Sequence, residues 1–267
     1  MRRTARSGTV QKDEVLIRQN GTPTYFAADI AYHRNKFVKR GFERVIDVWG
    51  ADHHGHVARM KGAMEAIGID SNRLDVILIQ LVRLVRGNEV VRMSKRTGKA
   101  IQLADLLDEV PVDAARFYFN LREATSQMDF DLDLAVKHDS QNPVYYVQYA
   151  HARICSILKK LASEGVHPRK CTDEELALLN TPEETDLIRH LSICTSEIIA
   201  SARDYDPARM MRYLITLATL FHKFYTACRV KGENESLTAA RLNLCLATST
   251  VLENVLSMFK IAAPESM

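Results

Sequence analysis

Three stretches of this 267-residue chain place polar and charged side chains at spacings that chemistry can use. In residues 24–33, Tyr25 and Asp29 lie four apart, so a helix brings both to one face. A phenol beside a carboxylate suits a guanidinium, a planar cation that takes directed acceptors. The plainer reading is a solvated Asp29 and a core Tyr25. In Trp49-Gly50-Ala51-Asp52-His53-His54-Gly55-His56 an apolar run ends at Gly50 and is followed by Asp52 and three histidines. The adjacent His53 and His54 cannot both face one ion from a regular element. No HExxH or CxxC partner accompanies them, so no metal site is expected. A carboxylate just past a strand end is instead well placed to accept from ribose hydroxyls, with His56 packing on or bonding a nucleotide. In Arg92-Met93-Ser94-Lys95-Arg96-Thr97-Gly98-Lys99 the lysines of a Gly-containing loop suit a leaving pyrophosphate, whose growing charge an ammonium neutralises. The alternative there is a solvated basic loop.

The elements that carry these residues divide the chain in two. Up to about residue 133, short apolar runs alternate with helical patterns, which implies an α/β layer. Residues 15–17 form a candidate strand and residues 21–23 a turn. A helix is expected over 27–39 with Gly41 after its end. Residues 45–49 read as a central strand, residues 56–67 as a helix stopping at Gly68, and residues 74–85 as one strongly apolar strand. A hairpin over 86–89 returns the chain into residues 90–93. From Asn142 the pattern is helical throughout. Asn142-Pro143, Thr181-Pro182 and Asp206-Pro207 each set a capping side chain before Pro, and Thr181 with Glu184 has capping-box spacing. Four apolar stripes follow, one of them Leu187, Leu191 and Ile198, with a loop over 163–173 between the first two. Such a set makes a helical bundle.

Composition agrees with an ordinary globular protein. A net charge of +3 permits a nucleic-acid partner only through a local basic patch. The five scattered cysteines, an odd number with no CxxC, read as reduced and mostly buried thiols. No run is long and apolar enough for a bilayer, and the basic start lacks the apolar segment of a secretory signal, so a cytoplasmic protein without membrane contact is expected. On the first bundle helix, Tyr145 and Tyr149 are four apart, and Tyr149 and Arg153 share a face. Aromatic rings beside an arginine stack unpaired bases, although at least one tyrosine is expected in the core. Basic residues such as Arg203, Arg209, Arg212 and Lys231 are scattered further on, as on a solvated face.

Taken in order, Tyr-Phe-Ala-Ala-Asp-Ile-Ala-Tyr-His, Val-Ile-Asp-Val-Trp-Gly-Ala-Asp-His-His-Gly, Met-Ser-Lys-Arg-x-Gly, Asp-Ala-Ala-Arg-Phe, Asp-Phe-Asp-Leu-Asp and Asn-Pro-Val-Tyr-Tyr-Val-Gln-Tyr-Ala-His-Ala-Arg closely resemble bacterial arginine–tRNA ligases. The likeness runs from about Val15 to the chain end. The Met93-Ser94-Lys95 core is similar to the KMSKS loop of class I synthetases, with Arg92 and Arg96 departing from it. The resemblance implies the second half of a Rossmann-like class I catalytic domain over residues 1–140, followed by an all-α anticodon-binding bundle over 141–267. By the same resemblance Tyr25, Asp29 and His53 hold arginine. Gly50, Asp52, His56, Met93 and Lys95 serve ATP, accompanied by Mg2+ that no protein cage ligates. Ser94 and Lys95 act in catalysis, and Tyr145, Tyr149 and Arg153 meet tRNA. The family's HIGH motif and its N-terminal tRNA-elbow domain have no counterpart in these residues. A split-enzyme subunit joined by a chain with the HIGH half, a truncated gene, an excised piece, and a catalytically inactive tRNA-binding module are therefore all open.

Overall fold

The computed structural model describes residues 13–87, 89–91 and 101–267. They gather into two compact units: the first runs to Leu81 and takes in Ala124–Gln127, and the second comprises Val82–Glu123 and Met128–Met267.

In the first unit Thr24 opens helix α1 (Tyr25–Arg34), its hydroxyl accepting the Ala27 N–H at 3.3 Å. A wider π turn over Asn35–Lys39 follows, and the chain reverses at Gly41, whose φ of +72° favours a residue without Cβ. Strand β1 (Val45–Gly50) leads through a 3-10 turn over Ala51–His53 into α2 (His54–Ala66). Strand β2 (Leu74–Ile79) then returns parallel to β1, Val45 opposite Leu74 and Gly50 opposite Ile79. This is a βαβ unit, the connection parallel strands require. Its core is Phe37, Val45, Met60, Met64, Ile69 and Leu74. Alternation along β1 turns Val45 and Asp47 inward and leaves Ile46 and Val48 exposed on the opposite face.

The second unit begins with β3 (Val82–Arg86), which pairs antiparallel with β4 (Glu89–Val90). Helices α3 (Leu103–Glu109) and α4 (Val112–Phe119) follow, then β5 (Met128–Asp131), parallel to β3, and the single turn α5 (Leu132–Ala135). The bundle is α6 (Pro143–Ser163), the short α7 (Asp173–Leu176), α8 (Pro182–Ser192), α9 (Cys194–Asp204), α10 (Ala208–Ala227) and α11 (Glu235–Met258). One apolar core runs through this unit, from Phe117 and Phe130 to Leu214, Phe221 and Leu252. The Thr181–Glu184 capping box forms as its spacing predicts, with both reciprocal bonds made.

Four expectations need correction. The apolar run over 74–85 is two strands in two different sheets, interrupted at Gln80 and Leu81. The candidate strand at 15–17 shrinks to one bridge between Ile17 and Pro23, and its side chains are exposed, so burial adds nothing to hold it. The stripe Leu187, Leu191 and Ile198 belongs to two helices, with a break at Ile193 that no Gly or Pro marks. Asn142 precedes α6 as expected but does not cap it: its amide donates instead to the carbonyls of Ala135 and Lys137, tying down the segment that enters the bundle. All five cysteines are free thiols, two of them buried.

Candidate active-site cleft and nucleic-acid interface

The carboxyl end of β1 opens onto a cleft of about 820 Å³ in the first unit. Helix α1 supplies Tyr25 and Asp29 from one face, as their spacing predicts. The 3-10 turn supplies Asp52 and His53, and the first turn of α2 supplies His56. This is the edge of a parallel sheet where ligands bind in α/β folds. His56 is wedged between Trp49 and Phe26, with ring centroids 5.3 and 5.2 Å away, and its Nε2 stands 3.7 Å from Asp29 Oδ2. Asp29 is half exposed and Tyr25 is 89% exposed, and both line the cleft rather than the core. Asp52 is exposed beside His53, 3.9 Å from its Nε2. Gly50 makes room for it: a Cβ there would stand 2.6 Å from Asp52 Oδ1. Among the described residues no group of three or more His, Cys, Asp or Glu side chains gathers as metal ligands. Ser94, Lys95 and Met93 lie outside the described residues.

Sequence reading missed the floor of this cleft. Asp47 faces inward and accepts from His33 Nε2 at 2.5 Å and from Lys36 Nζ at 2.9 Å, while His33 Nδ1 donates to the Asp29 carbonyl at 2.8 Å. Burial alone would push the Asp47 carboxyl up. The hydrogen bonds and charges of Lys36 and His33 outweigh it and hold the group below its ordinary value. The alternation of β1 carried a readable signal, since a carboxylate on the core face of a strand demands a buried partner. Arg59 was missed as well. It stacks on Phe26 and pairs with Glu14 at 2.7 Å, fastening the segment before α1 to α2.

The second unit holds an aromatic and basic cluster on α6 and α10. The rings of Tyr145 and Tyr149 stack 6.1 Å apart, inclined by 9°. Arg153 donates to the Tyr149 hydroxyl at 2.8 Å, and its guanidinium lies between the rings of Tyr149 and Tyr225, 5.1 and 5.0 Å from their centroids. Tyr225 comes from α10, and no local pattern links it to α6. Tyr146 is the tyrosine that packs on the core, its ring tilted by 49° against His222 and its hydroxyl near Thr219. Burial and the Arg153 charge hold His222 below its ordinary pKa, and its buried Nε2 has no hydrogen-bond partner among the described residues. A cleft of about 330 Å³ opens beside Tyr149, Arg153, Lys160, Tyr225 and Met267. By contrast Arg203, Arg209, Arg212 and Lys231 pair with Asp204, Glu197, Asp206 and Glu164, so much of the scattered basic charge is engaged locally.

This architecture has counterparts among known proteins. A family model for tRNA synthetases class I (R), catalytic domain, matches residues 8–154, more than half of the chain, and the chain belongs to that family. A model for the DALR anticodon binding domain matches residues 147–267. The arginine–tRNA ligases of Caldanaerobacter subterraneus and Ruminiclostridium cellulolyticum are each 58% identical over 96% of this chain and 46% of their own length. The chain thus spans about half the length of the curated relatives it matches. A solved chain from Campylobacter jejuni superposes with a TM-score of 0.83 at 36% identity, covering 96% of this chain and 55% of that one. The Thermus thermophilus arginyl-tRNA synthetase shares the fold, with a TM-score of 0.81 at 22% identity over 95% of this chain and 51% of its own. No helix among the described residues is long and apolar enough to cross a membrane.

Proposed function

We propose that this chain works as part of an arginine–tRNA ligase, which activates arginine with ATP and transfers it to tRNA. The observation that carries the reading is the meeting of Tyr25, Asp29, Asp52, His53 and His56 in one cleft at the carboxyl end of β1. The phenol and carboxylate of α1 offer directed acceptors to the guanidinium, and His53 lies on the same rim. Asp52, beside Gly50 at the strand end, accepts from the ribose. His56, held between Trp49 and Phe26, presents a flat edge to the nucleotide. The arginine carboxylate then attacks the α-phosphorus of ATP in line and pyrophosphate leaves. Held reactants and charge placed where it develops supply the rate. Met93 lies along the nucleotide in this reading. Ser94 and Lys95 are assigned to the departing pyrophosphate, and Mg2+, bound with the nucleotide, would help neutralise the phosphate charge.

Residues 1–140 are assigned to the second half of the catalytic domain and residues 141–267 to the anticodon-binding bundle. Tyr145, Tyr149 and Arg153, with Tyr225 added, form the surface for unpaired bases of tRNA. A partner polypeptide, or a preceding segment, carries the HIGH motif. The test joins the N-terminal part of the Caldanaerobacter relative to this chain and follows arginine-dependent exchange of pyrophosphate into ATP. Exchange by the chimera, lost in its Asp29→Ala form through weaker arginine binding, is expected. Asp29 is half exposed, so the loss is that of a charge-assisted hydrogen bond, about 1.5–3 kcal/mol or ~10- to 150-fold in arginine affinity. Unchanged arginine affinity in that variant removes Asp29 from the site.

A further inference from the structure

We infer that His33 and Asp47 form a hydrogen-bonded pin that sets the position of Asp29 in the cleft, and so act as positioning residues for guanidinium recognition. The inference rests on the reading of Asp29 as the guanidinium's carboxylate. His33 is 3% exposed and Asp47 7%. Each ring nitrogen of His33 faces an oxygen that can only accept: the main-chain carbonyl of Asp29 at 2.8 Å and the carboxylate of Asp47 at 2.5 Å. The other Asp47 oxygen takes the Lys36 ammonium at 2.9 Å, which keeps the carboxylate ionised. The ring is thus tied at both ends, to the α1 main chain and to the β1 carboxylate.

A buried carboxylate held by polar partners is a poor way to gain stability, because the desolvation of such a cluster offsets much of its attraction and an apolar set of equal volume avoids that cost. What the cluster supplies is direction. The other α1 side chains against this core, Phe26 and Ile30, are apolar, and non-directional contact of that kind leaves the roll of α1 free. A rigid imidazole bonded at both ends does not. It links the turn of α1 that carries Asp29 to the strand that continues, two residues past Asp47, into Trp49, Gly50 and the Asp52 turn. One ring therefore fixes the spacing between the guanidinium's carboxylate and the nucleotide end of β1. Lys36 steadies Asp47 but touches neither Asp29 nor the strand end, so its charge is separable from the pin.

The experiment uses the 267-residue chain, labelled with nitrogen-15. The His33 ring is expected to show the slowly exchanging N–H proton of a buried, hydrogen-bonded imidazole; a ring proton that exchanges as freely as that of an exposed histidine would overturn the pin. L-arginine and its uncharged isostere L-citrulline are then titrated while the Asp29 amide is followed. The wild-type chain is expected to favour arginine. His33→Phe, which keeps the ring volume and removes both bonds, is expected to lower that preference about tenfold, the size of one weakened charge-assisted bond. Lys36→Met is expected to leave most of it. A merely structural role predicts a lower melting temperature with the arginine preference of the folded molecules intact, and that result overturns the inference. Equal losses in His33→Phe and Lys36→Met overturn it too, because bulk charge rather than position is then the cause. If His33→Phe does not fold, Asp47→Asn is read by the same ratio. A wild-type chain with no preference for arginine removes the role of Asp29 itself; the His33 ring signals, read separately, tell that failure from failure of the pin.

Discussion

Side chains that carry the proposed chemistry differ in when they touch their substrates. Asp29 and Asp52 sit ready at the cleft rim, where each meets a ground-state group: the guanidinium or the ribose. Lys95 belongs to a different moment. Negative charge builds on pyrophosphate as it leaves, and an ammonium that meets it then stabilises the transition state more than bound ATP. Lys95→Ala in the chimera is expected to slow adenylate formation by roughly 100-fold, the low end for loss of one such donor because Arg92 and Lys99 flank it. Arginine affinity is expected to change little. Single-turnover measurements separate the two constants. A silent Lys95→Ala beside a crippling Arg92→Ala or Lys99→Ala would put the loop out of register with the family motif. At this scale the rim of the cleft was legible, because Tyr25 and Asp29 share a helix face and Asp52 follows a strand end. The His33–Asp47 contact and the Tyr225–Arg153 stack were not, because each joins residues on different elements that no local period relates.

Elements were legible where one local cause decides them. The Thr181–Glu184 capping box, the reversal at Gly41 and the strand ending at Gly50 are each set within a few residues, and each appears as expected. Boundaries set by tertiary packing were not. An apolar run does not say where one sheet hands over to another, so β2 and β3 were read as a single strand. The α8–α9 break keeps both halves helical and has no breaker residue to announce it. Between α8 and α11 lies an ion pair on which the bundle depends. Glu184 is fully buried, accepting from the Thr181 N–H at 3.0 Å and from Arg241 Nε at 2.7 Å. Burial by itself would raise its pKa, but those partners hold it below the ordinary glutamate value. A depressed carboxylate contributes stability above its unfolded pKa and loses it as the pH falls through the folded one. Arg241→Met strands Glu184 and is expected to cost about 3–5 kcal/mol at neutral pH. It also moves acid unfolding of the second unit to higher pH. Circular dichroism against urea and against pH measures both effects, and an unshifted acid midpoint would show that the Thr181 cap alone controls Glu184.

For the molecule as a whole, the β1–β2 pair carries a further consequence. Parallel sheets are ordinarily covered on both faces, yet Ile46 and Val48 are exposed, and among the described residues β1 has a strand neighbour on one side only. The proposed nucleotide cradle at the end of β1 is therefore one-sided. The 267-residue polypeptide alone is expected to give no arginine-dependent pyrophosphate exchange, while the chimera with the relative's N-terminal part does. Exchange above background from the polypeptide alone would show that the described cleft suffices. The other end of the chain is held quite differently. Arg116 donates to the Lys260 carbonyl, Asp113 accepts from the Ala262 N–H at 3.1 Å, and Gln148 donates to the Ala262 carbonyl at 2.9 Å. His151 meets the Pro264 carbonyl at 2.9 Å, Lys159 pairs with Glu265, and Met267 lines the cleft of Tyr149, Arg153 and Tyr225. A purification handle fused after Met267 would thus start beside the aromatic cluster where RNA is proposed to dock, and affinity measurements on such a fusion would carry the handle's own effect on that surface.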